Sequence, residues 1–317
     1  MTSPHVDILL STFNGEKYLE IQLDSLFQQD YVNWTLLVRD DGSTDTTLAI
    51  LEKYRQQYPD KIKILNDSDG NIGYCRSFTK LLQQSSAEYV MYCDQDDHWN
   101  PDKISKLLSV IAEEEAKLPG RAHLVFSDLQ TTNSEMKVSS GSFLKRTHYL
   151  SRYGVQIFFL KNYIPGCNIL FNRTLVSYAM KTDNLINLHD HWLFMVCSSI
   201  GKITFLDESL MKYRIHDKNA IGFKESQSKV INKVVLFFKE IIKYGFANKK
   251  YRNLVYSQNI KQMINICDQF SNTASKEAKE FAEIDQSNYL TRKFRNIWKP
   301  YILENSILKQ IIYIICF

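Results

Sequence analysis

Apolar residues in the first part of the chain alternate between two spacings. Short apolar runs recur as VDILLSTF, WTLLVRD, IKILND, EYVMYCD and HLVFSD, each the length of a buried strand. The segments between them place apolar residues at helical intervals. In GEKYLEIQLDSLFQQ, Leu19, Leu23, Leu26 and Phe27 share one face, while Glu16, Glu20 and Asp24 occupy the other. STDTTLAILEKYRQQY opens with small polar residues suited to a helix N-cap and turns Leu48, Leu51 and Tyr54 inward. CRSFTKLLQQS repeats the scheme with Cys75, Phe78, Leu81 and Leu82. Strands and helices alternating at this pitch predict parallel βαβ units and an α/β class. Right-handed crossovers then bring every strand-to-helix loop to one edge of the sheet.

Three polar loops fall on that edge: STFNGE, RDDGSTD and DQDDHW. Ligands of open α/β sheets bind there. The last loop puts Asp94, Asp96 and Asp97 straight after an apolar run. Carboxylates that close repel by roughly 1 to 4 kcal/mol per pair, depending on how much water screens them. Two readings follow: a solvated loop whose acids happen to cluster, or a cation site, since hard divalent cations that bridge phosphates are held by one or two carboxylates. Neither GxGxxG nor GxxxxGK[ST] is present, which argues against a dinucleotide oxidoreductase and a P-loop NTPase. Without a glycine cradle for a diphosphate, a metal held by aspartates is the expected device.

The length of 317 residues allows one large domain, or one domain with a smaller appendage. Six scattered cysteines form no CxxC pair and read as reduced thiols of a cytosolic protein. The opening MTSPHVDILLSTF lacks the basic and apolar regions of a secretory leader, and no apolar run is long enough to span a bilayer. Charge divides the chain. Residues 224–317 hold 16 Lys and Arg against 8 Asp and Glu, whereas residues 1–223 hold 23 against 27. The basic tail, with KVINKVVLFFKEIIKYGF and RKFRNIWKPYILENSILKQIIYIICF, interleaves cations with aromatic and aliphatic residues. It reads either as helices lying on an anionic lipid surface or as helices packed on the first unit or on a second subunit. No nucleic-acid motif occurs in either half, so no nucleic-acid partner is expected.

The segments STFNGEKYLEIQLDSL, RDDGSTDTT, NIGYCRSF, YVMYCDQDDHWNPDKI, GCNILFNRTL, HDHW and YRIHDKNAIG, in that order, resemble bacterial family 2 glycosyltransferases of the GT-A fold. Within that family they are most similar to the rhamnosyltransferase-like branch that builds O-antigen and capsular polysaccharides. The resemblance covers about residues 5 to 222 and implies a Rossmann-like nucleotide-binding mixed sheet flanked by helices. The expected division is a GT-A catalytic domain at 1–223 and a helical C-terminal extension at 224–317. The implied reaction is inverting transfer of a sugar from a UDP- or dTDP-sugar to a saccharide acceptor carried on a lipid diphosphate. The implied location is the cytoplasm, peripheral on the inner face of the cell membrane.

The resemblance maps the family's DxD onto Asp94 and Asp96, which would hold Mg²⁺ or Mn²⁺, with Asp94 also facing the donor and Asp97 in support. His216 would be a further metal contact, or a packed histidine. Arg214 would pair with a phosphate, or form a salt bridge. Asp40 and Asp41 would accept the imide N–H of uracil or thymine, one of them capping the next helix with Ser43 instead. Thr12, Asn14 and Glu16 would line the nucleoside pocket, and Arg76 would touch the donor. The general base maps onto Asp190, which on local pattern alone suits a helix N-cap. Trp192 would stack on an acceptor sugar or anchor its helix. Competing classes are a sugar-nucleotide nucleotidyltransferase, which needs a phosphate-binding loop near the N-terminus, and a catalytically silent membrane-bound scaffold.

Overall fold

The computed structural model describes residues 3–143, 164–181, 189–217 and 219. Its first part alternates as expected: β1 (Val6–Thr12), α1 (Leu19–Phe27), β2 (Trp34–Asp40), α2 (Thr47–Gln57), β3 (Ile62–Ile64), α3 (Tyr74–Gln84) and β4 (Tyr89–Cys93). Then come β5 (His98–Trp99), α4 (Lys103–Lys117), β6 (His123–Thr132) and β7 (Val138–Ser140). A 3-10 turn at Gly166–Asn168 leads into β8 (Ile169–Asn172), followed by α5 (Arg173–Ala179), α6 (His189–Ile200) and β9 (Lys202–Arg214). The expected boundary near residue 223 and the basic tail lie outside the described residues. Among those described, no helix is long and apolar enough to cross a membrane.

The strands join in the order β3-β2-β1-β4-β8-β6-β9-β5, with β7 beside β6. β1, β2, β3 and β4 pair with one another in parallel. β8 enters antiparallel between β4 and β6, and β9 runs parallel to β6. The sheet is therefore mixed, and its parallel half alone follows the βαβ pattern of the hydrophobic runs. Chain progression reverses beside β1, which has β2 on one side and β4 on the other; such a reversal opens a crevice at the strands' carboxyl ends. Register sets what meets there. Thr12 is paired with Asp40 and Leu10 with Cys93, so the loops after β1, β2 and β4 leave the sheet side by side.

The parallel strands are buried on both faces, which is why their sequences read as near-continuous apolar runs: Ile8, Leu9, Leu10, Leu36, Val38, Val90, Met91 and Tyr92 are fully enclosed. Leu19, Leu23 and Leu26 of α1 point inward as their spacing predicts. One expectation fails on α2. Leu48 is 48% exposed, and Thr47, Leu51 and Tyr54 form the buried face. The helix begins with Thr47 held by Asp45, whose Oδ1 accepts both the Thr47 N–H at 3.0 Å and its hydroxyl at 2.5 Å. That capping contact fixes the helix rotation and turns Leu48 outward.

A buried ion cluster closes the edge of this half. Arg39, the penultimate residue of β2, is 1% exposed. Its Nη1 donates to Asp41 Oδ1 at 2.5 Å and Ser77 Oγ at 2.7 Å; Nε and Nη2 hold Asp67 at 2.8 and 3.0 Å, and Nη2 also reaches the Gly70 carbonyl at 2.9 Å. Asp41 in turn accepts the N–H groups of Ile72 and Gly73, both at 2.8 Å. The segment before α3 is thus wrapped around one guanidinium, and Gly73 takes a φ of 84° to present its N–H. Arg39 holds the Asp67 carboxyl well below the usual carboxylate range. Breaking a buried pair leaves an uncompensated charge, so Arg39→Met should cost about 3 to 5 kcal/mol in denaturant unfolding. A loss under about 1 kcal/mol would show that this pair is screened like a surface one.

Candidate active site

The first two loops are laced together by side chains. Asn14, at φ 47°, donates its N–H to Ser43 Oγ at 2.8 Å, and its Oδ1 accepts the Thr44 N–H at 2.9 Å. The Gly15 N–H binds Thr47 Oγ1 at 2.8 Å, and the Glu16 N–H binds Asp45 Oδ2 at 3.2 Å. Glu16 Oε2 accepts the N–H and hydroxyl of Thr46 at 3.1 and 2.8 Å. The two acids after β2 then divide. Asp41 is buried and fully engaged, as described above. Asp40 is only partly buried; it accepts the Thr12 hydroxyl at 2.8 Å and the N–H and hydroxyl of Ser43 at 2.8 and 2.6 Å. Asp40 does bond Ser43, but the first bond of α2 is made by Asp45.

Gln95, between Asp94 and Asp96, clamps the first loop. Its carboxamide accepts the Phe13 N–H at 2.9 Å and donates to the Phe13 carbonyl at 3.0 Å. Gly15 lies so close that a Cβ there would stand 2.3 Å from Gln95 Oε1. Asp96 Oδ2 is 2.8 Å from His216 Nε2, which brings the two sequence-distant candidates together. Arg214 donates from Nε to the Asp96 carbonyl at 2.7 Å, from Nη1 to the Ser134 carbonyl at 2.7 Å, and from its backbone N–H to Asp97 Oδ1 at 3.1 Å. Its guanidinium lies 4.4 Å from the Tyr18 ring centroid. Arg214 is 1% exposed, so it stands as a brace behind the acids.

Asp97 is wholly buried; its Oδ1 accepts the Arg214 N–H, and the Cys167 side chain is a further polar neighbour. One ligand atom each of Asp94, Asp97 and Cys167 lie within 4.8 Å of one another. Burial, with the Asp96 charge second, pushes the Asp94 carboxyl up to about 7; the same causes push Asp97 well above its ordinary value. Burial also raises the Cys167 thiol, helped by Asp97 and Asp94, so the sulfur stays protonated and is a poor ligand. Asp94 and Asp97 supply the clustered carboxylate oxygens that fit a hard cation, while Asp96, held by the His216 imidazole, stands outside that group.

Two positive charges are built in beneath the acids, and sequence reasoning named only Arg214. The other is Lys103, fully buried at the start of α4. Its Nζ donates to the Cys167 carbonyl at 2.7 Å, lies 3.3 Å from Met211 Sδ and stands 3.7 Å from the Trp99 ring centroid. Burial lowers its pKa to about 8 against the opposing pull of Asp97 and Asp94. A signal was present: Lys103 shares the inward face of α4 with Leu107 and Ile111, where lysine is out of place.

Asp190 lies in the first turn of α6, 5% exposed, its Oδ1 accepting the His191 N–H at 2.7 Å. It is near enough for its charge to raise the pKa values of Asp94 and of Tyr74. The flanking His189 stacks on Phe78 at 4.3 Å, and burial lowers its pKa to about 3, so it stays neutral. Trp192 is buried and donates from Nε1 to the Ala179 carbonyl at 3.1 Å, which makes it a helix anchor. Arg76 is exposed on the first turn of α3 with no side-chain partner among the described residues. Asp94, Asp96, His216 and Asp190 thus come to one region. Thr12, Asn14, Glu16 and Asp40 form the laced loops beside it.

A carboxyl raised in the folded state contributes stability that is complete below its unfolded value of about 4 and is lost as the pH rises through about 7. A bound cation favours the ionised form and reverses that loss. The increase in Tm on adding Mn²⁺ to chelator-treated protein should therefore be larger at pH 8 than at pH 5.5. Equal gains at both would show that Asp94 is ionised in the metal-free protein throughout.

The model of Glycosyl transferase family 2 matches residues 7–177. The chain is 28% identical over 225 residues to the dTDP-rhamnosyl transferase RfbG of Shigella flexneri, covering 67% of this chain and 73% of that protein. Its fold is similar to that of S. aureus TarS 1–349 in complex with UDP-GlcNAc, with a TM-score of 0.55 at 18% identity, over 98% of this chain and 78% of TarS. It is similar also to the mannosyltransferase PcManGT from Pyrobaculum calidifontis in complex with GDP-Man and Mn²⁺, with a TM-score of 0.53 at 14% identity, over 99% of this chain and 88% of that one. The sheet order and flanking helices are those of the GT-A fold, and this chain belongs to glycosyl transferase family 2.

Proposed function

We propose that the chain is an inverting, metal-dependent glycosyltransferase that moves a sugar of the rhamnose, glucose or galactose type from a UDP- or dTDP-sugar to a saccharide acceptor carried on a lipid diphosphate, in cell-surface polysaccharide biosynthesis. One observation carries this reading: the turn at Gly166–Asn168 touches both the acidic cluster after β4, through Cys167, and the buried Asp190, through Gly166. Similarity to RfbG favours a dTDP-deoxyhexose donor. The membrane contact and the lipid carrier rest on the basic tail, which lies outside the described residues.

Asp94, Asp96 and His216 would hold Mg²⁺ or Mn²⁺, which supplies Lewis-acid charge to the diphosphate leaving group. The acceptor oxygen bonds to the anomeric carbon as that carbon's bond to the diphosphate oxygen breaks. The bonding pair leaves with the nucleoside diphosphate, and the hydroxyl proton passes to Asp190. Partial exposure makes Asp40, rather than the enclosed Asp41, the carboxylate that can accept a base imide N–H. The laced loops hold it in place before any ligand arrives. Arg214 acts through the Asp96 carbonyl and the Asp97 carboxylate, and exposed Arg76 is free to reach a phosphate. The nucleotidyltransferase alternative is disfavoured because the N–H groups of Asn14, Gly15 and Glu16 already bond side chains of the second loop and cannot cradle a triphosphate.

Asp190→Asn is nearly isosteric and should lower kcat by about 10²- to 10⁴-fold, with the donor KM close to wild type, as expected for a general base. Near-normal turnover, or a product retaining the donor's anomeric configuration, would overturn the assignment. UDP or dTDP should raise Tm more than ADP or GDP, and Asp40→Asn should narrow that difference while Asp41→Asn chiefly destabilises the fold. Equal protection by all four nucleotides would remove the imide contact.

A further inference from the structure

The turn Gly166–Asn168 stands between the acidic cluster and Asp190. Its Cys167 side chain belongs to the group with Asp94 and Asp97. Its Gly166 faces Asp190 so closely that a Cβ would lie 2.9 Å from Asp190 Cβ and 3.3 Å from Oδ2. The glycine is not there for conformational freedom, because its φ lies outside the left-handed region. What excludes a side chain is Asp190, its Cβ first and its carboxylate next.

The turn is fixed at its middle and its last residue. Asn168 Oδ1 accepts the Ser127 hydroxyl at 2.7 Å, and Nδ2 donates to the Ser127 carbonyl at 2.5 Å. The Cys167 carbonyl is held by Lys103 Nζ at 2.7 Å. A fully buried ammonium with one oxygen acceptor is costly to desolvate, and methionine would fill the same volume against Trp99 and Met211. The lysine does what methionine cannot: it ties the turn to the start of α4 and sets a cation beside Asp94 and Asp97.

We propose that Gly166 and Lys103 are positioning residues for the Asp190 carboxylate. Gly166 forms its seat, and Lys103 fixes the turn that carries the seat, so that the base keeps one place relative to Asp94. This rests on Asp190 being the base. A misplacement of about 1 Å at such a group can cost on the order of 10²-fold in rate.

The test is a double-mutant cycle in the full-length chain: wild type, Gly166→Ala, Asp190→Asn and the pair, with Lys103→Met taken through the same cycle. Turnover is read as nucleoside diphosphate release from dTDP-rhamnose or UDP-GlcNAc, with water or a synthetic lipid-diphosphate saccharide as acceptor, alongside donor KM and thermal unfolding. Gly166→Ala should lower kcat by about 10- to 100-fold with donor KM within about threefold, and should change kcat less than about threefold once Asp190 is Asn. Lys103→Met should give a smaller loss with the same non-additivity. Additive losses, an unchanged kcat in Gly166→Ala, or an effect on donor KM alone would overturn the proposal, as would variants that no longer unfold cooperatively, since the contacts would then serve folding. Normal turnover in Asp190→Asn, read without any Gly166 variant, would instead bring down the base assignment and this proposal with it.

Discussion

Three carboxylates at the end of a fully buried strand are the constraint around which the rest is arranged. Each close pair among Asp94, Asp96 and Asp97 costs roughly 1 to 4 kcal/mol unless offset, and the strand that delivers them allows no retreat into solvent. The fold supplies two buried cations from distant parts of the chain, Lys103 at the start of α4 and Arg214 at the end of β9, with the His216 imidazole on Asp96. β9 must therefore run the length of β6 to bring Arg214 under the loop, and the two-residue β5 pairs with β9 to hold the acidic segment against it. A cation bound from outside would complete a compensation already half made.

On the other side of β1 the problem is order rather than charge. Loops of polar residues lose conformational entropy when fixed, and here a dense set of short hydrogen bonds between the first and second loops offsets that loss. Gln95 joins the two sides, since its carboxamide holds the first loop while its neighbours belong to the acidic cluster. A nucleoside and a diphosphate would thus meet parts of one hydrogen-bonded unit, with the distance between them set before binding. Preorganisation of this kind lowers the cost of ligand association.

The same economy explains the polar residues that appear where apolar ones would pack. Arg39, Lys103, Arg214 and Asp97 are each nearly or wholly enclosed, and each fixes a loop or turn at the carboxyl edge. Buried charges are a poor source of stability. Their value lies in geometry, because a guanidinium or ammonium directs several donors to chosen oxygens, whereas an apolar side chain holds only a volume.

The sequence by itself determined the parallel half of the sheet, its helices, and the three polar loops on one edge, because apolar periodicity is a local property and crossover handedness is fixed by the backbone. It also determined the acidic cluster and, through the order of its motifs, the family. It did not determine that Thr47 rather than Leu48 faces inward, since a capping contact from Asp45 sets the rotation of α2. Nor did it reveal that β8 inserts antiparallel beside β4, or that the late strand β9 returns to β6, because strand order depends on partners far apart in the chain. Which of Asp40 and Asp41 is available, which of the charged residues are buried, and why position 166 is glycine were decided only by tertiary structure. A charge looks the same in the sequence whether it meets water or an opposite charge, and only the folded chain chooses.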